Sequence, residues 1–305
     1  MKTAHIFPAF IHEYLGVETD VVKSFGVDFQ GYLQQASEVT GTDLTAFDIE
    51  TNNFLDKQLE SQYLSYIYGC CVSDIMHIKN RLPDYVSSYS MGIYASLYHC
   101  GCYDFITGLN IIKTAYTLVE KYKPEEPCGM ASIVGLSLGD IMRIIKPIKK
   151  LVSIGNHISK HSFLLSGRLE HLEPIIEAAK ADGAMQARLL NITHPYHSIV
   201  LRKLFSDFLN ILLRTKEIVA PQYPYVSSQW RNIIDDKNKM KYEIAFNVIS
   251  PIRWQATMDF LIKKETTTFI ECGAGDSLYK IGKFIEGDFK IINLKKLKTY
   301  LSDEQ

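Results

Sequence analysis

The segment Val86-Ser87-Ser88-Tyr89-Ser90-Met91-Gly92-Ile93-Tyr94-Ala95 constrains the fold more than any other stretch of the chain. A short β-favouring run passes through Ser-x-Ser-x-Gly directly into residues of helical character, which is the layout of a nucleophile elbow. In such a turn a serine sits between strand and helix with its hydroxyl at the helix N-terminus. Small residues two before and two after it let neighbouring backbone come close. Ser90 is the predicted nucleophile, with Ser88 where the first glycine of such a motif usually stands and Gly92 as the second. A serine followed two residues later by glycine is often a plain turn, so the reading depends on its surroundings.

Those surroundings supply the order strand, elbow, helix. Residues 3–7 read as a β-run ended by Pro8, and apolar residues at helical spacing predict a long buried helix over 59–78, leading to the elbow strand at 85–87. The helical run 93–98 stops near Gly101, a residue suited to a C-terminal cap. From Met130 the texture changes. Residues 131–136, 162–167 and 187–193 read as strands, separated by helices over 141–151 and 172–182. This β-α-β-α-β succession predicts a small separate layer inserted into a larger α/β unit, its last strand delivering His194-Pro195-Tyr196-His197. Helices over 199–213 and 254–262, a Pro-rich bend at 221–224 and a β-run at 267–271 complete the chain.

Composition narrows the classes. A chain of 305 residues, 47% hydrophobic, can bury the core of one large α/β domain with an insertion. Its 33 basic and 34 acidic residues balance, so no nucleic-acid partner is expected, although a local basic patch could still face an acidic protein. The opening Met1-Lys2-Thr3-Ala4-His5-Ile6 lacks the apolar core of a signal peptide, and no stretch reaches the roughly 18 uncharged apolar residues of a spanning helix. A cytoplasmic location without membrane contact is therefore expected. The six cysteines show no C-x-x-C pair and read as buried thiols. Cys100-Gly101-Cys102 lacks the second ligand pair that a metal site would need. The nine histidines form no H-E-x-x-H motif, so no metal is expected.

With the elements in order, the chain resembles the malonyl-CoA:acyl-carrier-protein transacylase family along nearly its whole length. Phe7-Pro8 stands where the family has F-P-G-Q-G-S-Q, and Ser61-Gln62-Tyr63-Leu64 where it has T-Q-P-A-L. Ser88-Tyr89-Ser90-Met91-Gly92-Ile93 is similar to G-H-S-L-G-E, and the run from Cys128 to Leu136 to the G-A-M-A-A-I-I-G-L strand. His194-Pro195-Tyr196-His197-Ser198 matches A-P-F-H-S, Pro251-Ile252-Arg253-Trp254 matches P-V-R-W, and the run from Phe269 to Gly275 matches F-I-E-V-G-P-G. Seven matches in order and spacing carry the likeness where no single one would.

The resemblance implies an α/β-hydrolase-like large domain, over 1–127 and 194–305, with a ferredoxin-like small domain inserted at 128–193 and the active site in the cleft between them. By the same resemblance Ser90 accepts the acyl group and His197 is its base. A serine hydroxyl is a poor nucleophile until an imidazole takes its proton, and that imidazole then protonates the departing thiol. Backbone amides of Phe10 and Met91 would form the oxyanion hole. Gln62 matches the family's pocket glutamine and reads equally as an ordinary buried helix residue. His194 would line the acyl pocket or pack, and Asn247 would orient His197 through its main-chain carbonyl. The implied substrates are coenzyme A thioesters and the phosphopantetheine of an acyl-carrier protein, with no permanently bound cofactor.

The departures from the family pattern bear on the substrate. Counted back without gaps from Met130, the arginine that clamps the malonyl carboxylate falls on Ala115. The elbow glutamate is Ile93 and the elbow histidine is Tyr89. A carboxylate buried against an alanine would be desolvated and unpaired, at a cost of several kcal/mol. A roomier, more apolar pocket for a neutral acyl chain is therefore expected, unless Lys113 or another cation reaches in. Such a loss would also fit hydrolytic relatives that clear stalled acyl chains, or a carrier-binding module without turnover. Docking of an acidic carrier protein would use Lys146, Lys149, Lys150, Lys160, Arg168 or Arg202.

Overall fold

The computed structural model describes residues 2–9, 14–47 and 57–303. Its larger sheet has six strands in the order β10 (Lys290–Ile292), β9 (Thr266–Glu271), β1 (Lys2–Phe7), β2 (Tyr85–Ser88), β7 (Tyr225–Val226), β8 (Ile233–Ile234). All neighbours run parallel except β7 and β8. The strands are apolar on both faces, and alternate residues serve two cores. Phe7, Ile270 and Ile292 join one cluster, while Ile6, Phe269 and Ile291 join the other. That period of two, buried on both sides, marks a parallel sheet covered by helices on each face.

The helix Gln58–Ile78 runs 21 residues through the first of these cores and is buried nearly all round. It crosses the elbow helix Gly92–His99 so closely that a Cβ on Gly69 would lie 2.5 Å from the Ala95 Cβ. A second long helix, Phe105–Tyr122, is capped by Asp104, which accepts from the Thr107 amide at 2.7 Å. Sequence reading left this helix unassigned, yet it carries Ala115 into the site.

The smaller sheet is antiparallel, in the order β4 (Val152–Ser159), β5 (Ser162–Arg168), β3 (Cys128–Val134), β6 (Gln186–Leu189). With helices Leu138–Ile145 and Leu169–Ala181 on one face it forms a β-α-β-β-α-β unit with its own core around Ile133, Phe163 and Leu172. This is the ferredoxin-like small domain of the α/β fold. The expected helix over 141–151 ends early because Pro147 can neither donate to the ladder nor avoid the preceding turn, and the chain tightens into a 3-10 turn at Lys146–Ile148. Strand β4 then follows where no strand was expected. Its pairing with β5 shifts register between Ile154 and Asn156 and again between His157 and Ser159. The irregular β4 also ties the two sheets together, since Ile252 of the large domain donates to the Gly155 carbonyl and accepts from the His157 amide, each at 2.8 Å.

Candidate active site

Strand β2 ends at Ser88, and Ser90 adopts φ of 56°, the left-handed turn that lifts its hydroxyl to the start of the elbow helix. Gly92 cannot be replaced without disturbance, because a Cβ there would lie 2.2 Å from the Phe7 carbonyl oxygen and 2.5 Å from that of Pro8. Ser88 fits where a glycine is usual because its buried hydroxyl bonds the Tyr225 hydroxyl at 2.7 Å. Tyr89 packs edge-on against Trp254, and its hydroxyl accepts from Asn156 of β4 at 2.9 Å, so the elbow is braced from the small domain.

The Ser90 hydroxyl lies 2.7 Å from His197 Nε2. His197 Nδ1 faces two main-chain carbonyls, Asn247 at 2.8 Å and Ser250 at 3.1 Å. Carbonyls only accept, so Nδ1 carries the proton and Nε2 presents its lone pair to the serine. The Asn247 side chain also donates to the Ser90 carbonyl at 3.3 Å. His197 is 3% exposed, and burial lowers its pKa to about 4 against the opposing pull of the two carbonyls. The imidazole is therefore neutral at physiological pH and able to accept a proton. Gly155 makes room for this arrangement, since a Cβ there would come within 3.3 Å of the His197 Cβ.

Met91 stands at the N-cap of the elbow helix, where main-chain amides point out of the first turn. Phe10, the second expected oxyanion donor, lies outside the described residues. Gln62 donates to the Tyr196 hydroxyl at 3.2 Å, and both line a cavity with Ser90, Met91, Ala115, His197 and Asn247. Tyr94, Tyr116 and Val248, which the sequence reading did not single out, complete the described wall. Tyr94 follows Ser90 by one helical turn and Tyr116 adjoins Ala115, spacings that could have pointed to both.

Two expectations are corrected by this geometry, and one residue takes the second of its two expected placements. The cavity is not roomy, because Tyr94, Tyr116 and Tyr196 line it beside Ala115 and leave about 30 Å³ accessible. Ile93 does not line it and is fully buried in the main core, as the second residue of a helix that turns away from the serine. His194 packs behind the wall. Its ring meets Tyr116 and Tyr196, Nδ1 donates to Gln58 Oε1 at 2.6 Å, and Nε2 contacts the Glu120 carboxylate. Any charge on that ring is met by Glu120. Lys113 does not reach in either: its exposed ammonium donates to the Thr40 carbonyl at 3.4 Å. Among the described residues no lysine or arginine lines the cavity, and no group of three or more histidine, cysteine or carboxylate side chains could hold a metal. All six cysteines are buried and unpaired.

A larger groove of about 830 Å³ opens beside Ser153 of β4, which bonds Ser198 at 3.1 Å. Lys149, Lys150, Arg202 and Lys203 line it together with apolar Met142 and Ile199. Of the other candidate docking cations, Lys160 pairs with Glu286, and Arg168 with Glu126 and Glu170. Lys146 is exposed in the turn after the Leu138–Ile145 helix.

No protein-family model matches the chain. Whole-length similarity to individual proteins is nonetheless extensive. A malonyl CoA-acyl carrier protein transacylase of Buchnera aphidicola subsp. Schizaphis graminum is 25% identical over 305 residues, covering 98% of this chain and 96% of that protein. The Bacillus subtilis protein of the same description is 26% identical over 302 residues, with 98% and 92% covered. Among solved structures, a malonyl-transacylase in complex with its type II polyketide acyl-carrier protein superposes with a TM-score of 0.90 at 23% identity, over 99% of this chain and all of that one. An acyl carrier protein S-malonyltransferase from Vibrio cholerae gives 0.88 at 21%, over 98% of this chain and all of that one. No helix among the described residues is long and apolar enough to cross a membrane.

Proposed function

From its whole-length similarity to malonyl CoA-acyl carrier protein transacylases, we propose that the chain is a member of that family and moves an acyl group between coenzyme A and an acyl-carrier protein through an ester on Ser90, in fatty-acid or polyketide synthesis. The observation that carries this reading is the 2.7 Å contact between Ser90 Oγ and the unprotonated nitrogen of His197. Both thioesters are substrates, and the chemistry asks for no resident cofactor.

The steps balance without other groups. Ser90 Oγ attacks the thioester carbonyl as its proton passes to His197 Nε2, and the charge on the carbonyl oxygen is met by the Met91 amide. The C–S bond breaks and the coenzyme A sulfur takes the proton from Nε2. The phosphopantetheine thiol of the carrier protein then gives its proton to the same nitrogen and attacks the ester, restoring the serine. Asn247 and Ser250 act through His197: their carbonyls orient the ring and favour the transient imidazolium.

The acyl group is neutral. The described wall offers a malonyl carboxylate no cation, and a charge buried there against Ala115 and tyrosine rings would cost several kcal/mol. The carrier protein, an acidic partner, docks on the groove lined by Lys149, Lys150, Arg202 and Lys203. Intact-mass measurement after incubation with acyl-coenzyme A tests the reading. A mass gain that disappears in Ser90→Ala and transfers to added carrier protein is expected. Malonyl labelling as fast as that by a neutral acyl donor would overturn the neutral assignment. Loss of label to water at the same rate with and without carrier protein would make the enzyme a thioester hydrolase. A Ser90 that stays unlabelled by a fluorophosphonate would leave only carrier binding.

A further inference from the structure

We infer that Asn156, on strand β4 of the small domain, is a positioning residue for the serine: by holding Tyr89 it keeps the Ser90 hydroxyl within reach of His197. This rests on the acyl-serine reading above and adds to it a residue that acts through its neighbours. Ser90 and His197 have φ of 56° and 57°, the left-handed region that a residue with a Cβ adopts only at a cost. Such strain persists where the surrounding structure over-determines it. Both members of the pair therefore need a fixed backing, and two consecutive residues of β4 supply it.

Gly155 backs the histidine directly, since a Cβ on it would lie 3.3 Å from the His197 Cβ. The backing of Ser90 is indirect. Asn156 Nδ2 donates to the Tyr89 hydroxyl at 2.9 Å, and both side chains are buried. The Tyr89 ring meets Trp254 edge-on with centroids 5.6 Å apart, and its amide donates to the Phe7 carbonyl at 2.8 Å. Hydroxyl, ring and backbone of the residue before the serine are each held, which limits rotation of the peptide entering the left-handed turn. Neighbouring residues of a regular strand point to opposite faces, so two in a row do not ordinarily serve one site. Strand β4 breaks that alternation. Ile154 opposes Leu165 and Asn156 opposes Leu164, which leaves Gly155 as the extra residue of a bulge, a device that re-aims side chains. The bulge is clamped to the large domain on both sides of Asn156, through the Gly155 carbonyl and the His157 amide, by Ile252, two residues before the Trp254 that meets Tyr89.

The test follows single-turnover acylation of the full chain by intact mass, with an acyl-coenzyme A that labels the parent, in Tyr89→Phe, Asn156→Ala and the double variant. Tyr89→Phe keeps the packed ring and removes only the hydroxyl, so the question stays open to measurement even if Asn156→Ala fails to fold. A displacement of about 1 Å in a reacting group costs on the order of 10²-fold. Each single variant should therefore lower the maximal acylation rate about 10–100-fold, while the donor concentration giving half that rate changes less than about threefold. The double variant should be no slower than Asn156→Ala, because both changes remove the same bond. The rate in Tyr89→Phe should still be flat down to about pH 6, since His197 stays buried. A general loosening of the site would instead hydrate the ring and bring an acid limb near the ordinary 6.5. Variants acylated at the parent rate overturn the positioning role and leave the acyl-serine reading standing. So do losses confined to donor affinity, losses that multiply in the double variant, or an acid limb moved to 6.5. A parent that takes no label from any acyl-coenzyme A removes the acyl-serine reading and this role with it.

Discussion

The main-chain carbonyl of Asn247 accepts the Nδ1 proton of His197 at 2.8 Å, in the place where many serine enzymes put a carboxylate. A neutral carbonyl fixes the tautomer without adding charge, and it needs no particular side chain. Asn247→Ala should therefore lower kcat/KM for acyl transfer by less than about tenfold, through loss of the 3.3 Å bond to the Ser90 carbonyl. His197→Ala should lower it by about 10²–10⁴. Steady-state kinetics on the two variants checks the contrast, and equal losses would place the essential contact in the asparagine side chain.

The same arrangement sets the pH dependence. His197 acts as base only when neutral, and burial lowers its pKa to about 4. Activity is thus present above that value and lost as pH falls through it. Single-turnover acylation of Ser90 should stay flat from about pH 8 down to about pH 6, where an ordinary histidine with a pKa near 6.5 would already be mostly protonated. An acid limb centred at 6.5 in acylation rate against pH would contradict this.

Another pH effect comes from Glu243, buried on the helix Lys237–Asn247, whose carboxyl burial raises to about 7 against the pull of the Ser227 hydroxyl. A carboxyl whose folded pKa exceeds its unfolded value contributes its stability at low pH and loses it as pH rises from about 4.5 to 7. Replacing it by glutamine removes that dependence. The stability of Glu243→Gln relative to the parent should improve by about 3 kcal/mol between pH 4.5 and pH 8, taking about 1.4 kcal/mol for each unit of a shift from 4.5 to 7. Urea denaturation at the two pH values measures it. A difference that does not change with pH would show that this carboxyl is not buried alone.

Gly92 carries the closest approach in the elbow, and the atoms that a Cβ would strike belong to the β1 backbone and the residue after it. Backbone of a central strand cannot swing aside as a side-chain tip can. Gly92→Ala should cost about 3 kcal/mol, at the upper end of overpacking penalties, and should displace Ser90 enough to abolish acylation. Thermal unfolding together with fluorophosphonate labelling tests both halves. A variant that labels at the parent rate would mean the elbow is more pliant than its contacts allow.

Charge on the groove beside the site should act on the carrier protein. With both Lys150→Glu and Arg202→Glu, the KM for carrier protein should rise about tenfold or more at low salt, and the gap should narrow in about 0.5 M salt as the charges are screened. Carrier titrations at the two salt concentrations read this. An unchanged KM would move the docking surface elsewhere.

The residues legible from the sequence are those whose positions depend on backbone. Ser90 and His197 both sit at positive φ, on turns flanked by fixed neighbours, and such turns leave short motifs in the chain. Asn247 serves through a carbonyl whose place follows from its spacing to Pro251. Phe7, Val86 and Phe269 announce the parallel sheet through apolar runs. Pocket volume, by contrast, is a property of side chains converging from three elements. Removing an arginine at position 115 predicts space only if nothing else moves in, and Tyr94, Tyr116 and Tyr196 come from two helices and a loop with no shared pattern. Strand β4 went unread for a related reason: its register shifts break the alternation that identifies a strand.

Gly155 lies on that strand, in the small domain, yet its bare α-carbon is what gives the large domain's histidine its seat. A hinge motion that carried β4 outward to admit a bulky carrier would loosen His197, the proposed base, in the same stroke. Under the proposed mechanism, entry of the acceptor and readiness for proton transfer would then be mechanically linked. Grafting a relative's small domain onto this chain would be expected to alter turnover even where every residue touching the acyl group was left as it is.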